Sequence, residues 1–165
     1  MPTFKEFRKI VIENILSTDT AQHSLYMARF QQKIDSGAKL NGDEKEDRGL
    51  LCRLLIKAAD ISNVAKPWPL AALWSNLVSD EFFAQGDEEK EKQIPTAPFM
   101  DRTKSTAAKN TANFIDFLAL PLYKAVVALL PAGAESLVLL NHNRKELEEL
   151  INQGKDIPRD IKINL

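Results

Sequence analysis

The stretch "DISNVAKPW" places the carboxylate of Asp60 where a leucine-rich run gives way to a proline-broken loop. A carboxylate behind such an apolar run is expected to be partly buried, and then needs hydrogen-bond donors, a cation or a metal. Two roles follow. Asp60 either accepts hydrogen bonds from the turn at Ser62 and Asn63, or forms one corner of a metal site whose other ligands come from elsewhere. Asp19 and His23 are four residues apart, so a continuous helix would put both on one face within hydrogen-bonding reach. The other histidine, His142, stands in "LLNHNRKELEE" and reads as a solvated helix residue. Trp74, Val78 and Phe82 recur every four residues. One helix face of that kind packs a core or walls a ring-binding pocket. Cys52 is the only cysteine, so it has no disulfide partner within the chain, and its leucine neighbours predict a buried thiol. The chain has no glycine-rich phosphate loop, no Gly-x-Ser-x-Gly, no Cys-x-x-Cys and no His-Glu-x-x-His.

The elements that must position these residues are helical nearly throughout, and no segment alternates as a strand would. Phe4, Phe7, Val11 and Ile15 recur at helical spacing and predict one buried stripe. A second helix covers "SLYMARFQQKI" and is closed by the loop "DSGAKLNGDE". A third runs from about Asp43 to Ala59, with Leu50, Leu51, Leu54, Leu55, Ala58 and Ala59 inward. Pro69 suits the first turn of a fourth, for which Gly86 offers a stop near Gln85. "IPTAPFMDRTKST" reads as a long ordered loop, Ser105–Leu120 as a helix, and "ESLVLLNHNRKELEELINQG" as a final amphipathic helix. "KDIPRDIKINL" reads as a loosely held tail. The fold class is all-α.

With 165 residues, 44% hydrophobic and 27% charged, the chain has the length and balance of one globular domain with a core. A net charge of -1 gives no general attraction to nucleic acid or anionic membrane. No uninterrupted apolar stretch approaches the roughly 20 residues that span a bilayer. A cytoplasmic location is the expectation.

"VIENILSTDTAQH", "KAADISNVAKPW", "DEFFAQGDEEK", "PFMDR" and "NFIDFLALPLY" follow one another in the order and spacing of a known family. In these motifs the chain resembles the class I cyclic-nucleotide phosphodiesterases, from about Phe7 to the helix after Pro121. The resemblance implies an all-α helical bundle, of which residues 1–154 are the C-terminal portion and 155–165 a tail. It implies hydrolysis of 3',5'-cyclic AMP or GMP to the 5'-monophosphate, with zinc and magnesium (or manganese) activating a bridging hydroxide. By motif, Asp60 matches the aspartate that completes the zinc site. Asp19 and His23 match a segment beside the metals with a supporting role. Asn63 matches the base-binding end of the pocket, and Phe114 the aromatic that stacks on the purine. Trp74, Val78 and Phe82 match pocket-wall positions, and Phe99 stands where a methionine often lines the same cavity. Lys57 occupies a position held in the family by histidine or lysine.

The chain departs from the family pattern in two places. The family's His-Asn-x-x-His and His-Asp metal motifs lie upstream of everything matched, and the chain contains no His-Asp pair. One carboxylate does not hold a catalytic zinc tightly, so the isolated chain is expected to bind neither metal tightly and to be inactive. Thr111 stands where a glutamine reads the purine edge. A single hydroxyl cannot reproduce a bidentate amide contact, which leaves Asn110 or Asn113 as substitutes. Part of a helical bundle also exposes apolar surface, which predicts association. The alternative reading is a non-catalytic helical module that binds a nucleotide or a protein.

Overall fold

The computed structural model describes residues 3–37 and 43–162, so part of the expected "DSGAKLNGDE" loop lies outside the described residues. Seven α-helices are described: α1 Phe4–Ser17, α2 His23–Asp35, α3 Lys45–Asp60, α4 Trp68–Glu91, α5 Ala107–Phe114, α6 Leu120–Leu129 and α7 Ala134–Asn152. No strand occurs among the described residues. The chain divides into two compact units, Met1–Ser62 with Leu118–Leu137, and Asn63–Phe117 with Val138–Leu165.

In the first unit α1 packs on α3, and α6 packs on both α2 and α3. Its core holds Phe30, Leu54, Ala58, Leu122, Tyr123, Ala125 and Val126. The Tyr123 hydroxyl donates to the Ala58 carbonyl at 2.8 Å, fixing α6 to the end of α3. Burial pushes that phenol up to about 12, so it stays a donor through the neutral range. α1 opens with a capping box, in which the Thr3 side chain and amide exchange bonds with Glu6. Its expected buried stripe is not buried: Phe4 is 81% exposed and Ile15 62%, with Phe7 and Val11 also exposed. The reason is that α1 meets α3 along its polar edge, through Glu13–Arg53 and Ser17–Lys57, which turns the apolar stripe outward. On α3 the buried residues are Asp47, Leu54, Lys57 and Ala58, while Leu55, Ala59 and Cys52 are exposed rather than buried.

In the second unit α4 carries a stripe of small buried residues, Ala71, Ala72, Ser75, Ser79 and Gly86, against which α5 and the turn Pro98–Met100 pack. Gly86 therefore does not stop the helix. It allows a close approach, since a Cβ there would lie 2.1 Å from the Met100 carbonyl oxygen. The helix runs on to Glu91, and the turn beyond it places Gln93 at φ 57. The single helix expected over 105–120 is instead α5, a π-helical turn at Ile115–Ala119 and then α6. The run Ala107–Leu129 is long and apolar enough to cross a membrane by length and composition. Its buried residues, among them Ala108 and Ala112 in one unit and Leu122 and Val126 in the other, line protein cores. The segment after Gly154 is anchored rather than loosely held. Asp156 accepts from the Ala107 and Ala108 amides and caps α5, Ile157 is buried, and Asn76 donates to the Pro158 carbonyl.

Candidate functional site

In the first unit α1 ends at Ser17, and its next residues turn tightly into α2. The expected helical pairing of Asp19 with His23 does not form, because the chain is not one continuous helix there. Asp19 caps the three-residue turn Thr20–Gln22, its Oδ1 accepting the Ala21 amide at 2.9 Å, and His23 begins α2. His23 is half-buried. Burial first, and the positive charge of Lys57 second, hold its imidazole below the usual histidine range.

Asp60 is the last residue of α3 and is exposed, not partly buried as its leucine neighbours predicted. One turn earlier it is Lys57 that lies inside, 4% exposed. Its ammonium donates to the Ser17 carbonyl at 2.8 Å and sits 5.6 Å from the Tyr26 ring centroid. Burial lowers its proton affinity, while Asp60 and then Asp19 raise it. No group of three or more histidine, cysteine, aspartate or glutamate side chains that could hold a metal occurs among the described residues.

The second unit holds the aromatic candidates. Phe82 on α4 and Phe99 meet edge to face, their centroids 5.5 Å apart and the planes at 76°. Phe99 is positioned from several sides. Asn110 on α5 donates to its carbonyl at 2.7 Å and accepts from the Ser105 hydroxyl at 2.6 Å. The flanking loop is stapled to α4 by Lys90–Asp101 and by the two-nitrogen grip of Arg102 on Asp87. Lys90 and Thr103 together hold the Asp101 carboxyl far below the usual carboxylate range. Trp74 on α4 is 48% exposed, so it is not the core residue that its spacing first suggests, whereas Val78 and Phe82 are half-buried. Thr111 is buried on α5 beside Ala108 and Ala112, and Phe114 ends that helix half-buried. Asn110 is engaged at both ends of its amide, and Asn113 is exposed.

Asn63 is half-buried in the turn Ser62–Ala65. That turn is held by Asn143, 1% exposed, whose amide donates to the carbonyls of Val64 at 2.8 Å and Lys66 at 2.7 Å. Asn143 was legible in principle, because it stands three residues after Leu140 and four before Leu147, on their buried stripe. Its polar neighbours in the sequence disguise it. His142, beside it, is exposed as its surroundings predicted. A cleft of about 540 Å³ lies elsewhere, between α1 and α3, lined by Ile10, Asn14, Cys52 and Arg53 among others and by none of the candidate residues above.

Residues 1–140 match the family 3'5'-cyclic nucleotide phosphodiesterase. The chain is 39% identical over 155 residues to the 3',5'-cyclic-nucleotide phosphodiesterase regA of Dictyostelium discoideum, covering 92% of this chain and 19% of that protein. It is 37% identical over 148 residues to the high affinity cGMP-specific 3',5'-cyclic phosphodiesterase 9A of Homo sapiens, covering 89% of this chain and 24% of that one. A solved structure, LmjPDEB1 in complex with IBMX, superposes with a TM-score of 0.80 at 34% identity, over 88% of this chain and 43% of that one. The chain thus spans about a tenth to a quarter of the length of the curated relatives it matches. It belongs to the 3',5'-cyclic nucleotide phosphodiesterase family.

Proposed function

We propose that this chain supplies the base-binding residues and one metal-ligating carboxylate of a domain that hydrolyses 3',5'-cyclic nucleotides. The observation that carries the reading is the edge-to-face pair of Phe82 and Phe99, held by Asn110 and by the stapled loop, in a chain that matches the family over residues 1–140. A ring fixed in this way by its neighbour's edge gives a purine a face to pack on at little conformational cost. Phe114 stacks on the base, Trp74 and Val78 complete the wall, and Asn63 orients the ligand. Thr111 offers one hydroxyl where a longer amide would read the purine edge, so recognition relies on stacking more than on paired hydrogen bonds. The relative solved with IBMX bound supports a small-molecule site in this fold.

The family is metal-dependent, and zinc with magnesium or manganese is the pair its motifs imply. The donor set of this chain does not fit a tight zinc site: Asp60 is one exposed carboxylate, and the buried ion beside it is the ammonium of Lys57. Zinc takes four ligands, and a lone carboxylate leaves most of that shell to other residues. We therefore assign no hydrolytic step to this chain alone. Cyclic AMP and cyclic GMP are the ligands to test. The reducing cytoplasm suits an exposed free thiol at Cys52.

A chimera tests the reading. The upstream half of a relative's catalytic domain, carrying the histidine motifs, would be joined to this chain. Turnover of cyclic nucleotide that Asp60→Ala abolishes is the expected result. A folded chimera with metal bound and no turnover would contradict it and favour a non-catalytic binding module.

A further inference from the structure

We propose that Lys57 is a positioning residue, whose bond to the last carbonyl of α1 holds the Asp19–His23 turn in register with Asp60. The inference rests on the reading of Asp60 and Asp19 as the metal end of a phosphodiesterase site. A buried ammonium ordinarily takes a carboxylate partner. Among the described residues Lys57 has none within ion-pair distance. Its hydrogen bond goes to a neutral backbone carbonyl, that of Ser17, and its charge faces the Tyr26 ring. An apolar side chain of similar length would fill the same space without the desolvation cost. Lysine at this position therefore points to what its charge and its reach organise.

The acceptor itself is fixed. Ser17 is fully buried, and its hydroxyl donates to the Asn14 carbonyl at 2.6 Å. Two residues later Asp19 caps the turn into α2, and His23 follows. On the other side Asp60 lies one helical turn beyond Lys57 on α3. Asp60 and Asp19 both act on Lys57 through their charge, and Lys57 in turn acts on His23. One ammonium is thus the shared neighbour of the polar groups at this end of the unit. The sequence alone gave no sign of this, because Lys57 matches a residue type the family already uses there.

The test compares the wild-type chain with Lys57→Met, Lys57→Gln and Lys57→Arg by two-dimensional NMR across a pH titration. In Lys57→Met the Ala21 amide resonance should move toward its random-coil position as the Asp19 cap loosens, and the His23 titration midpoint should rise. Lys57→Gln can still donate to Ser17 without the charge. It should keep the Ala21 resonance while His23 titrates higher, and it serves as the probe where the methionine variant fails to fold. Lys57→Arg should restore both readouts. An unchanged Ala21 resonance in a folded Lys57→Met, or an Ala21 resonance displaced as far in Lys57→Arg as in Lys57→Gln, would overturn the proposal whatever the His23 midpoint does. These readouts need no nucleotide or metal, so their failure counts against Lys57 alone. Absence of turnover in the folded, metal-bound chimera described above counts against the functional reading alone.

Discussion

Asn143 shows how much one side chain can hold. Its amide is the donor for two backbone carbonyls of the turn that carries Asn63, in a place that water scarcely reaches. Removing it leaves both carbonyls without that partner. Asn143→Ala should destabilise the chain by about 2 kcal/mol or more, measured as a shift in the urea midpoint. His23 gives a pH dependence whose sign follows from its surroundings. Its folded value lies below the ordinary 6.5, so the unfolded chain takes up a proton that the folded chain resists. The stability it contributes is full above that ordinary value and is lost as pH falls through the folded one. Lowering the pH from about 7 to about 5 should therefore reduce the urea midpoint more in the wild type than in His23→Gln. At this scale the sequence was an uneven guide. Motif order offers Asp60 and Phe114 only as candidates, and burial did not follow from neighbours: Asp60 and Cys52 are exposed, while Lys57 and Asn143 are inside. Which side of a helix faces inward depends on where its partner lies, and local composition does not record that.

At the scale of elements, helix positions were legible and helix ends less so. The periodicity located α1, α2, α3 and α7 closely, and Pro69 stands in the first turn of α4 as its chemistry predicts, though that helix runs to Glu91 rather than stopping near Gln85. Gly86 misled because glycine serves both as a terminator and as a point of close approach, and only the Met100 carbonyl decides between them. Gly86→Ala should cost about 1–3 kcal/mol and lower the melting temperature, because a backbone carbonyl cannot swing aside as a side chain can. The same change should loosen the contact between Phe82 and Phe99, since the turn Pro98–Met100 carries Phe99. The segment after Gly154 was misread for a related reason. Asp156 caps α5 across 48 and 49 residues of sequence, a distance at which no local pattern speaks. Asp156→Ala should destabilise by about 1 kcal/mol, and hydrogen exchange at the Ala107 and Ala108 amides should quicken.

At the scale of the whole molecule, the family was legible because its motifs lie in order along most of the chain. The unusual feature is the apolar face of α1, where Phe4, Phe7 and Ile15 are all more than half exposed. Such a face favours association. Sedimentation should show concentration-dependent self-association that Phe7→Glu with Ile15→Lys reduces, and a monomer at every concentration would argue against it. In the function proposed above, Phe82, Phe99 and Phe114 bind a purine nucleotide. Calorimetric titration of the chain with cyclic AMP and cyclic GMP, beside Phe114→Ala and Phe82→Ala, tests it most directly. The wild type is expected to bind at least one nucleotide, weakened about tenfold or more in each variant, as loss of about 1.4 kcal/mol of stacking requires. Binding that both variants retain unchanged, or no binding of either nucleotide by the folded wild-type chain, would contradict it.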